Sequence, residues 1–231
     1  MIESDAKRLA ECLAADFPNA PAPPKRIWLD APAARVIDCV LSLRKPYARV
    51  VTPRVKRFVE MHPTVRSCTE LAKAIASYPS PHAFVEHELN MRSKTKGAAI
   101  AAVLDHLIDA QHALAHNTDA NDTADSATEA ERLQNWAEIA RPGDYLALDA
   151  PQFGLAGFQY LRVLFGAQTF KPDAHVLRYA ENAIGRPIAG NNRREARAVY
   201  ALERAAQLCG VPARNLDAAI WQQQSNTKLD D

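Results

Sequence analysis

The chain is poor in glycine, cysteine and aromatic residues, and it carries almost no net charge. Eight glycines stand against forty-three alanines in 231 residues, a bias towards helix. The four cysteines (Cys12, Cys39, Cys68 and Cys209) are scattered, with no Cys-x-x-Cys pair. That spacing excludes a dense disulfide framework and argues against a thiolate metal site. Buried, reduced thiols are expected instead. No uncharged run exceeds twelve residues, and Ala150 to Leu161 is one such run. Twelve residues are too short to span a bilayer. No apolar signal core follows the opening Met-Ile-Glu-Ser-Asp-Ala-Lys-Arg. Membrane and secreted classes are therefore set aside, and a cytoplasmic protein is expected (nucleoid-associated if bacterial).

Hydrophobic residues make up 48% of the chain and charged residues 24%, which excludes whole-chain disorder. A formal charge of +1 says little about partners, but its distribution says more. From Arg44 to Lys96 eleven Lys/Arg face four Asp/Glu; from Gln111 to Ala150 two Lys/Arg face eight Asp/Glu. One basic and one acidic face would follow from such a split. A basic face suits nucleic acid, and it also suits a merely solvated helix surface.

Apolar spacing reads as helix almost throughout. A short amphipathic helix spans Asp5 to Asp16, and the Pro-rich stretch Asn19 to Lys25 reads as a stiff arm. Helices follow from Ala33, from Pro46, over Thr64–Tyr78, Pro81–Leu89 and Ser93–His116, and from Thr128 to Ala140. The Asp/Asn/Thr/Ala-rich stretch Asn117–Thr128 reads as a mobile loop. Leu155 to Phe165 is apolar on nearly every side, the pattern of a buried central helix. Helices over Asp173–Ile184, Asn191–Cys209 and Asn215–Gln224 complete the chain. No strand or internal repeat is apparent. The expected fold class is all-α, with about ten helices. Trp28, Trp136 and Trp221 read as packing residues, and Arg54, Lys56 and Arg57 as a solvated helix face.

Two stretches carry chemistry. Pro151-Gln152-Phe153-Gly154 is a tight turn running into a helix N-terminus, where unpaired backbone N–H groups can bind a phosphate. The same turn also serves as an ordinary helix–helix connection. In Lys171-Pro172-Asp173-Ala174-His175-Val176, Asp173 follows a proline and precedes a helix, which makes it a good N-cap. Such a carboxylate, held at the mouth of a cleft, can also activate a water or stabilise a developing positive charge. His175 lies one turn in, where it reads equally as a hydrogen-bonding neighbour or a packing residue.

Together these residues resemble a family. Ala150-Pro151-Gln152-Phe153-Gly154-Leu155-Ala156 is similar to a helix-hairpin-helix turn of the Leu-Pro-Gly-Val-Gly-x-Lys type. Downstream, Lys171-Pro172-Asp173-Ala174-His175-Val176 resembles that family's Val-Asp-Thr-His-Val segment, at a matching separation. Upstream, Val40-Leu41-Ser42-Leu43-Arg44 is similar to its Leu-Ser-Ala-Gln segment. The family is the helix-hairpin-helix, Gly/Pro-rich, Asp-containing (HhH-GPD) DNA glycosylase superfamily, the endonuclease III-like proteins. The resemblance covers roughly Ala33 to Trp221.

The resemblance implies two helical lobes with a DNA cleft between them. Residues 1–32 would form an N-terminal helix and arm that join one lobe, and residues 33–231 the glycosylase-like domain. Its central lobe would span about 42–148, and its hairpin and catalytic aspartate 150–176. The partner would be double-stranded DNA carrying an altered base, which is flipped into the cleft. The family's aspartate falls on Asp173, which would assist N-glycosidic bond breakage. The hairpin residues Gln152, Phe153, Gly154, Leu155 and Ala156 would lie at DNA. Arg44 takes the place of a glutamine that fills the gap left by the flipped base, with Lys45, Tyr47 and Arg49 along the cleft edge.

Three departures bear on the chemistry. The hairpin lysine of bifunctional members falls on Ala156, or on Leu155, and neither forms a Schiff base. No β-lyase activity is expected, with Lys171 as the alternative nucleophile. The hairpin's first glycine is Gln152. The four-cysteine iron–sulfur loop is absent, since only Cys209 lies past residue 68, so no iron–sulfur cluster, metal or other cofactor is expected. The leading expectation is a monofunctional DNA N-glycosylase of the base excision repair type, acting as a monomer. The alternatives are a catalytically inactive DNA-binding module with a glycosylase fold and a helical protein-binding scaffold. The sequence leaves the base itself open among alkylated, deaminated, oxidised and deliberately modified forms.

Overall fold

The computed structural model describes residues 2–116, 128–188 and 193–226. Among the described residues the chain is helical, with no strand. Eleven α-helices follow in order: α1 (Ile2–Asp16), α2 (Pro32–Ser42), α3 (Thr52–Met61), α4 (Cys68–Ala76), α5 (Pro81–Glu88), α6 (Lys94–His116), α7 (Glu129–Ile139), α8 (Leu155–Leu164), α9 (Ala174–Ile184), α10 (Arg194–Cys209) and α11 (Ala213–Asn226). Of the mobile loop expected over Asn117–Thr128, residues 117–127 lie outside the described residues, as does the start of the helix expected from Asn191.

Helix ends follow local chemistry. Ser67 and Thr128 each form a capping box with the glutamate three residues on, Glu70 and Glu131. The helix expected from Thr64 begins only at Cys68, where Ser67 and Glu70 form a capping box; Thr64 has no glutamate or glutamine three residues on. Pro46 opens a π-helical turn over Tyr47–Val51 that runs into α3, rather than a simple first turn of that helix. Gly185 and Gly210 end α9 and α10 in the left-handed conformation.

The apolar stripes converge on two separate cores. The larger is built by α2 through α8, with Phe58, Phe84, Phe158 and Phe165 fully buried at its centre. The smaller joins α1 to α9, α10 and α11 through Leu9, Leu13, Leu202, Leu216 and Ile220. Each such side chain contributes roughly 1.5–3 kcal/mol by leaving water. Phe17 packs on Tyr179 at 5.7 Å, and Asn215 Nδ2 donates to the carbonyl of Ala20 at 3.0 Å. These contacts anchor the Pro-rich arm where it leaves α1 to cross towards the larger core. Trp136 is buried as expected, whereas Trp221 is exposed at the surface of α11. All four cysteines are free thiols; Cys39 and Cys68 are buried and the other two half-buried.

A buried polar seam ties the cores together. Gln159 Nε2 donates to Thr169 Oγ1 at 2.6 Å, and Thr169 Oγ1 donates to Glu203 Oε1 at 2.6 Å. Arg162 donates to Gln159 Oε1 at 2.8 Å and to the carbonyl of Ala137 at 3.0 Å. Partnered polar groups of this kind avoid the desolvation cost of orphaned ones and fix how α8 meets α10.

Tight packing also appears where α6 meets α5. A Cβ on Gly97 would lie 2.6 Å from the carbonyl oxygen of Pro81, so only glycine permits that approach. Beside it, the buried Glu88 carboxylate accepts from the hydroxyl of Tyr78, from His62 Nε2 at 2.6 Å and from His87 Nδ1 at 3.0 Å. Burial disfavours the charged form, yet these hydrogen bonds prevail and hold its carboxyl down to about 2. A folded value below the unfolded one, roughly 4.3, adds stability above that pH. The contribution is lost as pH falls from roughly 4.3 towards 2. Glu88→Gln is expected to flatten the acid limb of stability in that window, measured by denaturant unfolding at stepped pH; an unchanged limb would contradict it.

Candidate functional site

Two turns carry residues in the left-handed backbone region without being glycine, Arg44 (φ 58°) and Gln152 (φ 60°); Asn90 is the third such position. The first turn follows α2. Lys96, itself buried on α6, donates from Nζ to the carbonyls of Val40 at 2.6 Å and Leu43 at 2.9 Å. Those carbonyls end α2, and that of Val40 also accepts from the Leu43 backbone N–H at 3.3 Å. Burial, with Lys45 and Arg44 close by, pushes the Lys96 amine down to about 8. The chain then turns at Arg44, leaving Arg44, Lys45 and Arg49 exposed while the π-helical turn directs Tyr47 inward.

The second turn precedes α8. Phe153 donates its backbone N–H to the carbonyl of Ala150 at 3.1 Å, closing the turn around Gln152. Gly154 is the N-cap of α8, and no side chain caps that end. A Cβ on Gly154 would meet nothing within 4 Å, so the surface there is open to an approaching group. Phe153 and Leu155 bury their side chains, so what this segment offers to solvent is backbone. Ala156 is half-buried. The two turns are joined at Gly157, where a Cβ would come within 3.2 Å of both the Leu43 side chain and the Phe153 ring. Glycine at that position lets the end of α2 and the α8 turn close on each other.

Asp173 is the N-cap of α9, as expected. Its Oδ1 accepts from the backbone N–H groups of His175 at 2.9 Å and Val176 at 3.2 Å. Oδ2 lies 4.0 Å from Lys171 Nζ, and the Asp173 side chain is 21% exposed. One carboxylate oxygen is thus held by the helix, and the other accepts no hydrogen bond and faces Lys171. An open groove of about 460 Å³ runs past Asp173 and is lined also by Ala156, Leu177, Arg178, Glu181 and Arg194. His175 is half-buried, and its Nδ1 is buried without a hydrogen-bond partner.

Four residues that sequence reasoning missed complete the site: Arg26, Asp38, Tyr160 and Asp217. Asp38 is fully buried on α2 and accepts from the hydroxyls of Tyr47 at 2.7 Å and Tyr160 at 2.8 Å. Burial raises its carboxyl above the usual range, while those hydrogen bonds, Arg26 and Lys171 pull it back. Arg26, at the end of the arm, donates to Tyr47 Oη at 2.6 Å and to Tyr160 Oη at 3.5 Å. Lys171 Nζ sits 4.1 Å from the centre of the Tyr160 ring, a cation–π contact. Asp217 on α11 accepts the Lys171 backbone N–H at 2.8 Å. Burial, with Asp173 nearby, pushes the Asp217 carboxyl up to about 7 against that hydrogen bond.

Tyr47, Lys171 and Asp173 therefore share one constellation, which runs from the smaller core's side to the larger's. Arg44 and Lys45 stand outside it and are exposed. The signal for Asp38 was present in the sequence: a lone carboxylate within the apolar run Val36-Ile37-Asp38-Cys39-Val40. Nothing local marked Arg26 or Asp217. Among the described residues, no group of three or more His, Cys, Asp or Glu could hold a metal ion.

The left-handed turn before α8 makes a prediction about its sequence. Gln152→Gly relieves the strain of a side chain at positive φ and is expected to leave stability unchanged or raised. Gln152→Val, β-branched in the same conformation, is expected to cost about 1–3 kcal/mol. Thermal unfolding of both variants checks the pair; equal stability of the two would show that the turn places no such demand.

No curated protein and no solved structure matches the chain. A family model described as "Domain of unknown function (DUF8548)" matches residues 7–225, which takes in both cores, both turns and Asp173. The chain belongs to that family.

Proposed function

We propose that the protein is a monofunctional DNA N-glycosylase that extrudes an altered base from the duplex and breaks its N-glycosidic bond. The observation that carries the reading is a convergence. Ala156, in the uncapped first turn of α8, and Asp173 line one groove. A helix N-terminus with free N–H groups favours a phosphate, helped by the helix dipole. A carboxylate beside it suits the sugar attached to that phosphate. As the base departs with the bonding electrons, positive charge grows on the sugar, and Asp173 Oδ2 stabilises it while water adds at C1′ and its proton passes to the departed base. The exposed cations Arg44, Lys45 and Arg49 would supply further phosphate contacts. A residue pushed into the left-handed region, as Arg44 is, stores strain that functional sites often hold.

Ala156 leaves the α8 turn without an amine, so strand cleavage through a Schiff base at that turn is not part of the reading. The protein would act in base excision repair on double-stranded DNA, as a cytoplasmic monomer without a cofactor. A second reading, a DNA-binding module without chemistry, draws on the double engagement of Asp173 by its own helix and by Lys171.

The test uses end-labelled duplexes with a panel of altered bases, with and without hot alkali. Alkali-dependent breaks at one or more altered bases are expected. Asp173→Asn, which keeps a good N-cap, is expected to lower the rate on the order of a hundredfold or more with binding retained. Binding should weaken steeply with added salt. Salt-sensitive binding without base release would favour the module without chemistry, and no binding would reject both.

A further inference from the structure

Asp173 already faces a cation of its own chain. Lys171 Nζ lies 4.0 Å from Asp173 Oδ2, and the two side chains are 19% and 21% exposed, so water screens the pair only in part. A carboxylate beside an ammonium offers little net attraction to a growing sugar cation. The other charges along the groove bring no surplus. Glu181 is paired with Arg194 through two hydrogen bonds of 2.9 and 2.7 Å, and Arg178 and Glu195 carry opposite signs. Asp38, bonded to the Tyr160 hydroxyl, is balanced by Arg26.

One further carboxylate reaches this point. Asp217, half-buried on α11, accepts the Lys171 backbone N–H at 2.8 Å, and its charged neighbours are Lys171 and Asp173. The start of α11 also holds the chain three residues earlier, where the Arg214 backbone N–H donates to Gln168 Oε1 at 3.4 Å. The loop from α8 to α9 is thus fastened to α11 at Gln168 and at Lys171. Asp217 does not border the groove, so it acts there only through its neighbours and its charge.

That charge is costly to the fold. Burial, with the Asp173 charge nearby, pushes the Asp217 carboxyl up to about 7 against the hydrogen bond from Lys171. A folded value above the unfolded one, roughly 3.9, means that stability is lost as pH rises from roughly 3.9 through 7. An asparagine would accept from the same N–H without this loss.

We propose that Asp217 is a positioning residue that acts through Asp173: ionised, it offsets the Lys171 ammonium and leaves the Asp173 carboxylate a net negative charge for the sugar cation. The proposal rests on the glycosylase reading above. With Asp217 neutral, Lys171 cancels Asp173; with Asp217 ionised, the three groups together carry one negative charge. A carboxylate where an amide would serve the fold better is then explained by the reaction it supports.

The experiment measures binding of the full chain and of Asp217→Asn to two duplexes that differ at one residue. One carries a pyrrolidine in place of a deoxyribose, an amine cation that stands in for the charged sugar; the other carries a neutral tetrahydrofuran abasic site. Binding is compared on either side of the Asp217 value, at about pH 6 and about pH 8. Wild-type protein is expected to favour the cationic duplex, with the preference rising about fivefold between those two pH values. In Asp217→Asn the preference is expected to be level with pH and about tenfold lower at the higher one. The preference is the readout because a disturbed fold weakens both complexes together. A wild-type preference that stays level with pH, or one that Asp217→Asn leaves unchanged, would overturn the proposal and leave the glycosylase reading standing. Equal loss of both affinities in Asp217→Asn would show a structural role only and would overturn it as well. Wild-type protein that binds neither duplex better than an unmodified one would overturn the glycosylase reading and the proposal with it.

Discussion

The site is organised around one buried carboxylate. Asp38 sits on the inward face of α2 with no exposed surface, where an unpaired charge is too costly to persist. Its partners come from three separate places: Tyr47 from the π-helical turn, Tyr160 from α8, and Arg26 behind both hydroxyls. Satisfying Asp38 therefore sets the position of the α3 entry, the rotation of α8 and the landing point of the arm. Lys171 then rests on Tyr160, and Asp173 follows two residues later at the head of α9. Each contact on this path is set by the need to pair the one before it.

A second constraint is steric. Gly157 brings Leu43 and Phe153 into contact, and with them the two turns that hold Arg44 and Gln152 at positive φ. A side chain in that region costs on the order of 1–3 kcal/mol and persists only where the surroundings over-determine it. Lys96 does so at the first turn by binding the closing carbonyls of α2. The buried phenyl ring of Phe153 does so at the second. Strain placed on adjoining solvent-facing turns, next to an uncapped helix N-terminus, marks the surface where the proposed function would engage a phosphate backbone.

Helix was legible in the chain because apolar spacing and alanine content agree along most of its length. Leu155–Leu164 was clearest, since its apolar surround admits only a central helix. Asp173 was legible too, because a carboxylate between a proline and an apolar helix has a local role as a cap. Boundaries were less so: residues 64–67 have helical composition, but Ser67 supplies a better cap than anything before it. The inward turn of Tyr47 was not legible. An aromatic beside Arg44, Lys45 and Arg49 reads as an exposed edge until Asp38 is seen to draw its hydroxyl in.

What the sequence determined alone is local: helix type, caps at Thr128 and Asp173, the helix stop at Gly185, and the absence of an amine at Ala156. These depend on residues within a turn or two of one another, so a linear string contains them. The tertiary structure decided which polar groups meet. Arg26 and Tyr160 are separated by 134 residues and Lys171 and Asp217 by 46, and no periodicity links them. Only the packing of two cores across α8 and the crossing of the arm bring them together, because long-range pairing follows from burying apolar faces and not from spacing along the chain.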